Sequence, residues 1–267
     1  MKLPLGLLTI LGIIFAIFEI EASAQNLPGS LSFTLSGSFE NGVAASSNSI
    51  LIADNNLTNG YAAGMDLTDA PVTLNPAGPA GSAAFQWGTP SGSSDYAHSS
   101  ALWFEPLAAA NVAPDQYFNL GYLYYRNGTI QSRTGASSVD LALNLNFTNP
   151  SGMAPVNALV TSDLINSVNT SDPVASADTV SLRNFAPLDF TDSSGNQYYL
   201  ELTFKVDQNT LDGTLSTPDE FRVFEGKQGR AELLGRFTTI PGTAPVPEPS
   251  SAMLAILGAV ALLRRKR

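Results

Sequence analysis

An antiparallel β-sandwich, jelly-roll-like and with at most one short helix, is the fold class this sequence predicts, and three observations predict it. Apolar and polar residues alternate with a period of two in several segments; Ser, Thr, Asn and Gly are abundant while Lys and Glu are scarce; and turn-forming residues recur at short intervals. A half-buried strand needs this alternation, because successive side chains point to opposite faces of a sheet.

The first strand is predicted where Leu31, Phe33, Leu35, Gly37 and Phe39 alternate with serines and a threonine, with Asn41-Gly42 as the turn that ends it. The run Phe118 to Tyr125, then Asn127-Gly128, then Thr129-Ile130, reads as strand, tight turn and next strand. Val139 to Phe147 carries strong apolar residues at every odd position. The one helical candidate is Asn157 to Val168, where Leu159, Val160, Leu164, Ile165 and Val168 share a rough helical face between Pro155 and Pro173. Tyr198 to Val206 alternates again, after the turn chemistry of Asp192 to Asn196. Glu220 to Phe224 and Ala231 to Ile240, flanking Glu225 to Arg230, read as a last hairpin.

Both flanks of this β-rich body have the composition of addresses. At the front, Lys2 precedes an apolar run from Leu3 to Phe18, and Ala22-Ser23-Ala24 offers a small-x-small pattern, so residues 1–24 are expected to be a signal peptide cleaved after Ala24 by signal peptidase. An uncleaved anchor is the alternative. At the back, Ser250 to Leu263 is free of charge and is followed by Arg264, Arg265, Lys266 and Arg267, a stop-transfer pattern. Fourteen helical residues reach roughly 21 Å, short of the roughly 30 Å hydrocarbon core, which favours a thinly seated or transient anchor over a permanent span. The expected organisation is thus a signal peptide over 1–24, an exported domain over 25–240, a Pro-rich linker over 241–249 and a membrane-seated segment over 250–267.

Of 13 Lys and Arg, five lie in these flanks (Lys2 and the four of the tail), and of 23 acids three do (Glu19, Glu21, Glu248). The remaining body is strongly acidic. Such a surface repels phosphate backbones, so nucleic acid is not an expected partner. The chain has no cysteine, which removes disulfides, thiolate metal sites and Cys nucleophiles alike and leaves stability to the β core.

The single histidine, His98, stands near Asp95 and several serines, but nothing around it has the strand-turn-helix setting of a nucleophile elbow. Asp207 to Gly213 approximates a calcium loop, since clustered oxygen ligands and a turn glycine suit a hard cation; its spacing misses the pattern by one position and lacks the closing Glu. Trp87, Trp103, Tyr122, Tyr124 and Tyr125 are either core residues or flat faces for sugar stacking, and the adjacent Tyr124 and Tyr125 must lie on opposite sheet faces. Paired carboxylates of a glycoside hydrolase remain an open alternative, because spacing in sequence does not show which acids meet. No catalytic residue, cofactor or metal ligand is expected.

Val246-Pro247-Glu248-Pro249, the short apolar run and the basic cluster Arg264 to Arg267 together resemble the PEP-CTERM sorting signal of bacteria that make exopolysaccharide. That resemblance implies processing by an exosortase, delivery to the cell envelope or extracellular matrix, and an exopolysaccharide setting. The body resembles the choice-of-anchor K family, in Phe85 to Pro90, Phe118 to Leu123 with Arg126 to Gly128, Val139 to Phe147, Asp178 to Val180 and Phe221 to Gly226. Where that family commonly has His-x-Asn, this chain has Tyr125-Arg126-Asn127, so no role of that histidine transfers. The resemblance implies an exported location and a β fold but no reaction; the expected function is a non-catalytic surface or matrix protein, with a carbohydrate-binding module or a glycan-acting hydrolase as alternatives.

Overall fold

The computed structural model describes residues 30–57, 80–92, 97–182, 188–191, 195–206, 214–217 and 220–239. The signal-peptide, linker, sorting-motif and basic-tail assignments, together with Asp95 and Asp207 to Gly213, fall outside these residues.

Among the described residues there are fourteen strands and no helix. They are β1 (Leu31–Ala44), β2 (Leu51–Asp54), β3 (Ala83–Trp87), β4 (Ser100–Pro106), β5 (Ala109–Val112), β6 (Tyr117–Arg126), β7 (Ala136–Asn149), β8 (Val156–Ile165), β9 (Asp178–Leu182), β10 (Leu188–Thr191), β11 (Gln197–Val206), β12 (Thr214–Thr217), β13 (Glu220–Val223) and β14 (Gln228–Thr238). Two seven-stranded antiparallel sheets result, ordered β12-β13-β9-β8-β7-β1-β5 and β10-β11-β14-β6-β4-β3-β2. They pack face to face as the all-β sandwich that the alternation predicts.

The alternation places the core. In β1, Leu31, Phe33, Leu35 and Phe39 are buried, and in β7 Val139, Leu141, Leu143 and Leu145 are; the two strands pair over most of their length, with Leu35 opposite Leu145. Gly37 sits in this inward series because a Cβ there would stand 2.4 Å from the Phe104 ring of the facing sheet. One end of the core is an aromatic cluster of Phe33, Phe118, Phe147, Phe190 and Phe237, where Phe118 and Phe237 stack at 5.0 Å. Toward the other end runs the series Phe39, Phe85, Trp87, Tyr125 and Phe221, each ring within 6.3 Å of the next. Each such pair adds about 0.5–1.5 kcal/mol beyond area burial.

Four local expectations are corrected. The candidate helix at 157–168 is largely strand β8: Val156, Ala158, Val160 and Leu164 are buried, while Leu159 and Ile165 are 51% exposed. Those two outward apolar residues masked a period of two. Asn41-Gly42 is a bulge within β1 rather than a turn. Asn41 has φ 50°, its side-chain amide donates to Asp140 Oδ2 at 2.8 Å, and the strand resumes pairing beyond it. Asn127-Gly128 does not close a hairpin; neither residue takes the positive φ that a type I′ turn demands at both central positions. The chain leaves β6 there and enters β7 in the opposite sheet. The 225–230 segment likewise joins strands of different sheets, since β13 pairs with β9 and β14 with β6 and β11. The hairpin before β11 is present: β10 pairs with it from Leu188 opposite Leu200 to Thr191 opposite Gln197.

Candidate functional site: an acidic cleft at the end of the sandwich

The two segments misread as hairpins meet at one end of the molecule. There they line a cleft of about 410 Å³ together with the β8–β9 connection; its walls include Gly128, Gln131, Arg133, Asn166, Ser167, Asp178 and Glu225.

Asp178 opens β9 in phase with the core residue Val180, so its side chain enters the sandwich; it is 5% exposed. The Ser167 N–H donates to its Oδ1 at 2.6 Å, and the Tyr125 hydroxyl donates to Oδ2 at 3.5 Å, a long contact. Burial pushes the Asp178 carboxyl up to about 7, against the Ser167 hydrogen bond, and the negative charge of Glu225 adds to the rise. Burial also raises the Tyr125 phenol well above its ordinary range, assisted by Asp178 and Glu225. Tyr125 is fixed by stacking on Trp87 at 5.8 Å.

Glu225 follows Phe221 and Val223 at the same spacing of two, in the turn two residues past the end of β13. Its Oε1 is buried without a hydrogen-bond partner. Asn127 is fully buried beside it: its backbone N–H donates to the Lys227 carbonyl at 3.0 Å, its carbonyl accepts from the Gly226 N–H at 2.8 Å, and its Nδ2 donates to the Val223 carbonyl at 3.0 Å. Val223 is the residue paired with Asp178, and the Asn127 Oδ1 is unpartnered. Gly128 is required next, because a Cβ there would come 2.1 Å from the His98 carbonyl oxygen. The β8–β9 connection is tied together beyond the lining residues: Asp172 Oδ1 accepts from the Val174 N–H at 2.9 Å and the Ser176 hydroxyl donates to the Asp172 carbonyl at 2.9 Å.

A second depression, of about 360 Å³, lies on the outer face of the β1–β7–β8 sheet and is lined by Ser36, Ser38, Glu40, Asn55, Asn144 and Asn157 among others. Amides run across it, Asn146 donating to Asn144 and Asn144 to Asn157.

Among the described sequence candidates, Tyr125 contacts Asp178 and the others fall elsewhere. His98 is half-buried; its neighbour Ser99 donates its hydroxyl to the Gly88 carbonyl at 2.9 Å and Ser100 donates to the Gly128 carbonyl at 3.3 Å. Trp87 and Tyr125 are in the main core, whereas Trp103 and Tyr124 are buried with Leu57, Ala84 and Ala101 in a smaller outer cluster. Tyr122 is half-buried under the Arg230 guanidinium, 4.6 Å from its ring centroid. Tyr124 and Tyr125 do take opposite faces. None of the five presents an exposed sugar platform. Asp178, Glu225 and Asn127 were missed as a group, although a signal exists: an acid in phase with inward apolar residues, Asp178 with Val180 and Glu225 with Phe221 and Val223, marks an acid at the core's end.

The chain matches no protein-family model and no curated protein.

Proposed function

We propose that this is an exported, non-catalytic protein of the cell envelope or extracellular matrix, sorted by an exosortase-type signal, associated with exopolysaccharide, and acting by adhesion or assembly. The observation that carries this reading is the ordered set Val246-Pro247-Glu248-Pro249, apolar Ser250 to Leu263 and basic Arg264 to Arg267, which begins eight residues after the last strand ends at Thr238. A Pro-rich segment resists helix and keeps its backbone accessible to a protease, while the apolar run and the cations hold it at the bilayer. Signal peptidase and the exosortase are the processing partners, and the membrane is a partner through the C-terminal segment before processing.

A carbohydrate-binding module is the second reading, favoured by the hydroxyl- and amide-lined depression on the β1–β7–β8 face. For hydrolysis, two carboxyl groups must both be presented to a glycosidic bond, whereas Asp178 is only 5% exposed and Glu225 Oε1 is buried. The test is intact mass and fractionation from the native host, comparing wild type with Glu248→Ala. A mature species lacking both flanks, released outward only with Glu248 present, is expected. An intact basic tail in both proteins would reduce the segment to a simple anchor and remove the sorting reading.

A further inference from the structure

The end cleft is built to be acceptor-rich and short of positive charge. The charge that acts on Asp178 is that of another acid, Glu225. Tyr125, from β6, faces the same two acids, and Ser167, from the β8–β9 connection, contributes an N–H. Arg133 on the wall and Lys227 beside it are exposed; the buried Arg126 lies over Trp103 and donates its Nε to the Ser99 carbonyl at 3.0 Å, and Arg222 donates to Glu220. Two oxygens here are buried with no partner: Oε1 of Glu225, a residue of the cleft wall, and Oδ1 of Asn127, which precedes the wall residue Gly128, is 0% exposed and is bonded to Val223 and Gly226 on either side of Glu225. Buried like charges persist only when a proton or a cation offsets them. Unpartnered acceptors beside carboxylates call for a species that accepts electron pairs.

We propose that this cleft is a calcium site, held by the Asp178 and Glu225 carboxylates and the Asn127 side-chain carbonyl and completed by backbone carbonyls and water. All donors are hard oxygens, which suit Ca²⁺, and Ca²⁺ tolerates the irregular geometry of loop ligands where Mg²⁺ demands a near-ideal octahedron. Among the described residues no group of three or more Asp, Glu, His or Cys gathers around a metal position. Two carboxylates are therefore the charge available, and a low ligand charge places affinity on the order of 10⁻⁴–10⁻³ M, the range of extracellular modules. The binding itself does not rest on the sorting reading.

The test is Tb³⁺ luminescence sensitised by Tyr and Trp excitation, with Ca²⁺ competition, on the chelator-treated full-length chain in detergent. Tyr125 bonded to Asp178, with Trp87 stacked on it, supplies the donor. Saturable luminescence, displaced by Ca²⁺ at concentrations on the order of 10⁻⁴–10⁻³ M, is expected, as is a higher thermal midpoint in Ca²⁺. Both effects should weaken at least about tenfold in apparent affinity in Glu225→Gln, the loss of one direct charged ligand. That residue lies in a turn outside the ladders, so the variant should keep the wild-type circular dichroism, and Asp178→Asn provides the second arm. Absence of any Ca²⁺-displaceable signal and of any thermal shift at 10 mM Ca²⁺ overturns the proposal; so does binding that both variants leave unchanged, which would put the ion elsewhere on the chain.

Discussion

Asp178 holds its proton in the folded, cation-free protein at pH values where the same side chain in the unfolded chain has lost it, because burial and Glu225 raise its carboxyl to about 7 from an ordinary 3.8. The sign follows from linkage: between these values the native state binds more protons than the unfolded state, so stability is fullest below about 4 and is lost as pH climbs through about 7. Three pKa units correspond to about 4 kcal/mol, an upper figure for one group. Urea midpoints in chelator should therefore fall from pH 5 to pH 8 in wild type and change much less in Asp178→Asn. Ser167 N–H can still donate to the amide oxygen there, and the amide NH2 can donate to the Tyr125 hydroxyl oxygen, so the fold is expected to persist. An equal fall in the variant would assign the pH dependence to other groups. Gly128 gives a prediction of opposite kind. A methyl there meets the His98 backbone carbonyl, not a side chain able to swing away, so Gly128→Ala should cost about 3 kcal/mol, read as a lowered urea midpoint at unchanged slope.

At the scale of elements, β8 shows what the sequence disclosed and what it withheld. Strands whose outward positions are polar, such as β1 and β7, were legible, because alternation is visible when one face is wet. β8 was not, because Leu159 and Ile165 are apolar and exposed, and short apolar runs fit either period. Leu159→Thr should accordingly change stability by less than about 0.5 kcal/mol, whereas Val160→Ala, removing inward methyl groups, should cost about 2 kcal/mol; a helix packed through both residues would make the two costs similar. The connections at 127–135 and 224–227 were illegible for a different reason. Turn dipeptides report that the chain bends, but which sheet it enters next depends on pairings remote in sequence, such as Val223 with Asp178. The candidate site inherits this, since it is made where such connections meet. Between β11 and β14 the register sets Glu201 opposite Arg236, and the buried guanidinium donates from Nε to the carboxylate at 2.9 Å. Glu201→Ala leaves that cation without its carboxylate in a buried position, and a loss of about 3 kcal/mol is expected in equilibrium unfolding.

On the scale of the molecule, the chain passes repeatedly between the two sheets: β1 lies in one and β2 in the other, β5 and β6 are divided likewise, and so are β6 and β7. The main core draws buried residues from both sheets, so neither sheet has an apolar face it can keep covered alone. Such a topology should unfold as one cooperative unit, with the non-local pairing that makes all-β sandwiches fold in milliseconds to seconds. The two tryptophans of the chain are placed to test this, since Trp87 lies in the main core and Trp103 in the smaller outer cluster with Tyr124, beneath the Arg126 guanidinium at 5.3 Å. Trp87→Phe leaves fluorescence reporting the outer cluster, and Trp103→Phe leaves it reporting the core. Within each variant the fluorescence and far-UV circular dichroism transitions in urea should coincide, even though the substitutions shift the midpoints by different amounts. If Trp103 fluorescence changes ahead of the circular dichroism, the outer cluster opens before the sandwich does, and its contacts contribute little to global stability. Coincidence instead ties Leu57, Ala84, Ala101 and Tyr124 to the same transition as the core, as expected when β3, β4 and β6 carry one cluster on each of their two faces.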